Sequence, residues 1–170
     1  SARSVQDLSL QRLLQSQTNQ FDRLLTTFCD EYNRERERWL RSSDRHRAER
    51  VQKLLGGDFV DLTTLPYEFD CWHVAAVSKD GRTAKDLQMV AAGLNMRVLL
   101  VRHGSGAVWV WLGSRNRREA AEVQAALQAS ELTGGPIALG EPGRGLSGWR
   151  ISHQEARASL RVALGDDTPV

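Results

Sequence analysis

Cysteine is scarce. Cys29 and Cys71 are the only two in 170 residues, and no CxxC pair occurs. That excludes a disulfide framework and argues for two free thiols in a reducing compartment. Lysine is nearly absent, with Lys53, Lys79 and Lys85 alone, so arginine carries the positive charge, an imbalance that GC-rich coding produces. Net charge is only +2, which excludes a general nucleic-acid-binding field. No apolar run approaches the length of a membrane span, and the polar start has no signal-peptide core; a cytoplasmic location is expected, without membrane attachment. His46, His73, His103 and His153 show no metal-ligand spacing, and no GxSxG supplies a nucleophile. No metal and no cofactor are expected.

What is present is a soluble, globular composition, 41% apolar and 26% charged. Residues 5–41 contain no glycine or proline, and Leu10, Leu14, Phe21, Leu24, Leu25, Phe28 and Tyr32 recur at helical spacing. Leu14, Phe21 and Phe28 are seven apart, with Leu24 on the partner position, the pattern of a self-pairing helix. The mixed-charge stretch from Arg34 to Arg50 reads as a solvated face. Ser42, Ser43 and Asp44 are expected to break the helix and cap a second one, which stops at Gly56-Gly57. The expected division is an N-terminal helical dimerisation region over 1–57, a folded domain over 58–164 and a tail over 165–170.

From residue 69 the period changes. The order reads strand, helix, strand, strand, helix, strand, helix: an α+β fold whose first six elements form a ferredoxin-like antiparallel sheet with helices. The segment VRHGSGAVWVWLG is a hairpin with a tight glycine turn. Val108, Val110 and Leu112 point one way from its second strand, and Trp109 and Trp111 the other. Both sets are apolar, so both faces of the sheet need cover. The expected cover is the two core helices on one side and, on the other, the N-terminal helices or a second copy of the chain. Trp109 and Trp111 thereby join Leu14, Phe21, Leu24 and Phe28 as expected dimer-interface residues.

The topology and hairpin resemble the diguanylate cyclase (GGDEF) fold, whose signature turn reads Arg-Tyr-Gly-Gly-Asp-Glu-Phe. Arg102, His103, Gly104, Ser105, Gly106, Ala107 and Val108 stand at those positions here. Gly106 and Ala107 replace the two acids that hold metal and help activate the nucleotide hydroxyl, work that needs negatively charged oxygen. Val77 and Ser78 stand where the resemblance places a further metal-binding acid. Cyclisation of GTP is not expected. More closely, YNRERERWLRSSDRHRAERVQKLLGG, FDCWHVAAV and GEPGRGLSGWRISHQEARASLRVA resemble bacterial PucR/CdaR-type transcriptional regulators. Gly145, Leu146, Gly148, Ser152, His153, Glu155 and Ala156 carry the most specific segment. The resemblance implies a GGDEF-like domain for dimerisation, signal transmission or effector sensing. DNA contact would come through a helix-turn-helix absent from this sequence, as in a piece of a longer regulator.

The segment GRGLSG, residues 143–148, is a literal GxGxxG, but no βαβ unit follows it and no strand-ending acid stands about twenty residues on. The bland reading is a loop with a helix start. An amide-rich turn beside Arg144, Gly145, Arg150 and His153 is the candidate effector or anion site. The leading expectation is a non-enzymatic, homodimeric regulatory module open to a small-molecule effector. The alternative is a nucleotide-binding or residual nucleotidyl-cyclase enzyme.

Overall fold

The structure is a computed structural model that describes residues 2–104, 106–130 and 134–165, with side chains described from Phe21 onward except at position 41. The chain falls into two compact units, Ser1–Ser43 and Asp44–Val170.

The first unit holds the greater part of helix α1, which runs from Ala2 to Gly56. The expected break at Ser42–Asp44 is absent. Arginine, glutamate, leucine and glutamine on either side favour helix, with no glycine or proline before Gly56. Asp44 is used inside the helix, 3.5 Å from Arg47 one turn on, rather than as a cap. Gly57, at φ +92°, ends the helix. Phe21, Leu24, Phe28, Tyr32 and Trp39 stand exposed, Phe28 by 73%. Leu14 lies outside the residues whose side chains are described.

The second unit is α+β, as the sequence predicts. After the end of α1 come β1 (Trp72–Ser78), α2 (Thr83–Gly93), β2 (Arg97–His103), β3 (Ala107–Ser114), α3 (Ala120–Ala129), β4 (Ala138–Leu139), β5 (Gly143–Arg144) and α4 (Gly145–Leu164). The antiparallel sheet has the order β2-β3-β1-β4, with β5 also on β1. β4 and β5 share one edge of β1, but their registers differ by one residue: Val77 faces Ala138 and Ala76 faces Leu139, whereas His73 faces Gly143 and Trp72 faces Arg144. The extra residue is the mark of a bulge. It falls around Pro142, which has no N–H to give a ladder.

Both sheet faces are covered, as the period-two pattern requires. Val74, Ala76, Val108, Val110 and Leu112 meet Leu87 and Val90 of α2 and Val123 and Leu127 of α3. Ala75, Val77, Leu99, Val101, Trp109 and Trp111 meet Trp149, Ala156 and Leu160 of α4, together with Phe69 and with Val51 and Leu54 of α1. The second cover is thus mainly α4. Trp109 and Trp111 are corrected accordingly: at 7% and 0% exposure they are buried within their own chain and offer no surface to a second copy. The sheet unit also claims the last turns of α1, since Val51 and Leu54 sit in its core.

Candidate functional site

The signature turn joins β2 to β3. His103 pairs with Ala107 across the ladder, which fixes the intervening residues as a tight reversal. Gly104 and Gly106 have φ of +54° and +114°, where a side chain would be strained. Ser105 lies outside the described residues. The turn lies against the β1–α2 connection: a Cβ on Gly81 would stand 3.2 Å from the Gly106 carbonyl oxygen and 3.4 Å from the Arg102 guanidinium.

A metal at this turn would need carboxylate oxygens, and the residues do not fit one. Gly106 and Ala107 offer none. Asp80, the acid nearest the end of β1, has both oxygens in use. The Arg82 guanidinium gives it hydrogen bonds of 2.8 and 3.1 Å, the Arg82 amide one of 2.9 Å, and the Gly135 amide another of 2.9 Å. These bonds, the Arg82 side chain first, hold the Asp80 carboxyl down at about 2. Ser78 is fully buried; its hydroxyl donates to the Pro136 carbonyl at 2.8 Å and accepts from the Asp80 amide at 3.1 Å. These groups close a loop. Among the described residues no cluster of three or more metal-ligating side chains forms.

The turn is tied to α4 by rings. His103 stacks on Trp109 at 4.4 Å, and Trp109 meets His153 edge-on at 4.7 Å. His153 stacks on Trp111 at 5.0 Å, and Trp111 stacks on Trp149 at 4.4 Å. The Trp111 indole N–H donates to the Trp149 carbonyl at 3.1 Å. Burial, then the charges of Arg157 and His103, push His153 down to about 3, so its ring is neutral at physiological pH. Its Nε2 has no hydrogen-bond partner among the described residues.

The motif on α4 is an attachment surface. Its residues at one helical face, Trp149, Ser152, His153, Ala156 and Leu160, are all buried. The Ser152 hydroxyl accepts from the Ala75 amide at 2.9 Å, an N–H left free where the β4–β5 edge bulges. Glu155 accepts from the Glu141 amide at 2.9 Å. The GxGxxG also finds its reason here. A Cβ on Gly143 would lie 2.5 Å from the Gly148 Cα, and one on Gly148 would strike the Gly143 backbone. The two glycines let strand and helix backbones touch. The segment is therefore β5 plus the first turn of α4, rather than a loop.

The four residues of the candidate anion site do not converge. Arg144 is an exposed edge-strand residue opposite Trp72. The Gly145 amide donates to the Cys71 carbonyl at 2.9 Å. Arg150 turns to α1, its Nε donating to the Leu54 carbonyl at 2.8 Å. His153 faces the tryptophans. Sequence reasoning missed that Arg150 clamp and the Trp149 ring, although the latter stands four residues before His153 on the same helical face.

His73 is a packed strand histidine. Its Nε2 faces the Phe69 carbonyl at 3.0 Å, so Nε2 carries the proton and Nδ1 accepts from the Tyr67 hydroxyl at 2.8 Å. Burial lowers its pKa and keeps it neutral.

Residues 61–162 match the family profile described as the GGDEF-like domain. The chain belongs to this family. Among curated proteins no sequence match was found. The GGDEF-like fold here is similar to the crystal structure of a regulator of polyketide synthase expression from Bifidobacterium adolescentis, with a TM-score of 0.53 at 17% identity. The similarity covers 73% of this chain and 55% of that one, so this chain spans about half the length of that protein. At that identity the likeness is one of fold. In this GGDEF-like domain residues 145–156 serve to seat α4 on the sheet. Among the described residues no helix is long and apolar enough to cross a membrane.

Proposed function

We propose that this GGDEF-like chain is a non-enzymatic regulatory and dimerisation module of a PucR/CdaR-type bacterial transcription regulator, working in the cytoplasm. The observation that carries the reading is the signature turn. Gly106 and Ala107 occupy its acid positions, and Asp80, just beyond the end of β1, is engaged by Arg82 and Gly135. A turn without carboxylate oxygens has nothing with which to hold a divalent cation or to draw a proton from a nucleotide hydroxyl. The regulator of similar fold supports the same direction.

On this reading two chains pair through α1. Phe21 and Phe28 lie one heptad apart with Leu24 between them, and all three are more than 60% exposed. A row of large apolar side chains at that spacing is stabilised by a second copy of itself. DNA contact belongs to a helix-turn-helix elsewhere in the whole regulator, and pairing by α1 sets the separation of two such heads.

Sedimentation equilibrium on the chain and on the F21S/F28E double variant tests the pairing. A dimer that becomes a monomer at the same concentration supports it; an unchanged state in both overturns it. Incubation with GTP or ATP and magnesium tests the chemistry. Recovery of unchanged triphosphate supports a non-enzymatic role, and conversion to a cyclic or linked nucleotide overturns it.

A further inference from the structure

The end of the sheet opposite the signature turn holds a cavity of about 420 Å³. Arg97 opens β2, Ser114 closes β3 and Cys71 precedes β1; the pairs Arg97–Gly113 and Trp72–Ser114 end the two ladders beneath it. Six residue steps of β2 separate Arg97 from His103, about 20 Å at roughly 3.3 Å per residue. The cavity is therefore a place apart from the turn, and its volume is within the range of small-molecule sites, roughly 300–1,000 Å³.

Its lining is positively charged. One acid, Glu68, faces three arginines, Arg97, Arg115 and Arg118. Glu68 is taken up by an ion pair with Arg97. Arg118 gives one terminal nitrogen to Glu122 at 3.0 Å, but its Nε is buried and has no hydrogen-bond partner among the described residues. Arg115 is exposed and pairs with no acid among them. The Arg118 Nε is closed off from the cavity as well as from solvent, so it is the exposed part of the Arg118 side chain, 40% of it, that lines the cavity. The Asn95 and Asn116 amides add neutral donors. Cys71 on the wall supplies no nucleophile, because its thiol donates to the Glu68 carbonyl at 3.2 Å and burial raises its pKa. The chemistry is that of binding without turnover.

We propose that this cavity binds a small anionic metabolite, whose carboxylate or phosphate oxygens are held by the guanidinium groups of Arg115 and Arg118. The proposal rests on the regulatory role above only for its consequence, which is to make the ligand an effector; binding itself stands independently of dimerisation and of any nucleotide chemistry.

The test is thermal unfolding and titration calorimetry of the chain with inorganic phosphate, pyrophosphate, succinate and citrate, each against sodium chloride at equal ionic strength. The expected result is a saturable rise in Tm with at least one of the four; whether the phosphates or the carboxylates produce it assigns the source of the oxygens. R118Q and R115A are each expected to weaken that binding by about tenfold, the effect of losing one charge-assisted hydrogen bond. R102A, at the far end of the sheet, leaves it unchanged. Should R118Q fail to fold, judged by its circular dichroism in sodium chloride, R115A decides. No saturable shift with any of the four anions overturns the proposal, as does binding that survives both R115A and R118Q at full strength.

Discussion

One face of the sheet meets α2 and α3 through aliphatic side chains, Val74, Val110, Leu87, Val123 and their neighbours. The other meets α4 and the end of α1 through Trp109, Trp111, Trp149 and Phe69, with His153 and Ser152 inserted among them. Both faces are dry, but they constrain their helices differently. Aliphatic contact is non-directional and tolerates a change of shape at nearly constant volume. On the aromatic face, the Trp111 indole must meet the Trp149 carbonyl and the Ala75 amide must meet the Ser152 hydroxyl, so α4 has one rotation and one depth that satisfy both. The last turns of α1 pack on this directional face, through Val51 and Leu54 and the Arg150 clamp.

The contrast is broken or sharpened by substitution on each side. The largest effect is expected from W149A, which removes a fully buried ring: about 3–5 kcal/mol less stability in urea unfolding, against less than about 1.5 kcal/mol for L87M on the aliphatic face. A loss below about 1.5 kcal/mol for W149A would mean that the aromatic face tolerates loss of its buried ring and is not the more constrained one. S152A comes next. It strands the buried Ala75 amide and is expected to cost about 2 kcal/mol, with faster hydrogen exchange over residues 51–56. Unchanged exchange there would uncouple α4 from the end of α1.

The smallest effect is one of pH. Unfolded, His153 takes a proton near its ordinary value of about 6.5; folded, it does so only near 3. The unfolded chain therefore binds more protons in between, and stability, complete above that ordinary value, falls as pH drops towards 3. From pH 7 to 5 the loss is about 1–2 kcal/mol, and His73, also lowered by burial, adds in the same direction. H153F keeps a ring against Trp111 and should show a shallower slope over that interval. An identical slope would show that His153 is not held neutral.

Much of this was legible before any coordinates. The order of elements, the hairpin and the two apolar faces follow from period and turn chemistry, which act over a few residues. The missing acids of the turn are plain in the sequence. What was not legible depends on contacts distant in the chain. Trp109 and Trp111 look like a surface awaiting a partner until α4 folds back on them. Ser42–Asp44 look like a break because Asp44 is a good cap in isolation, while the surrounding helix formers outweigh it. The glycines at 143 and 148 look like a phosphate loop because closely packed backbones and a phosphate cradle make the same demand for an absent side chain. Arg115 and Arg118 read as ordinary surface charge, and only the ladder ends bring them beside Asn95.

The seam between Gly143 and Gly148 has a consequence for how such a chain can diverge. In most packed cores a bulky replacement on one side can be accommodated by trimming its neighbour, so pairs of positions drift together. Here neither position has anything left to trim. No second-site change at the partner can rescue a methyl group at either one, and the junction must be inherited intact while the aromatic and aliphatic layers around it remain free to vary.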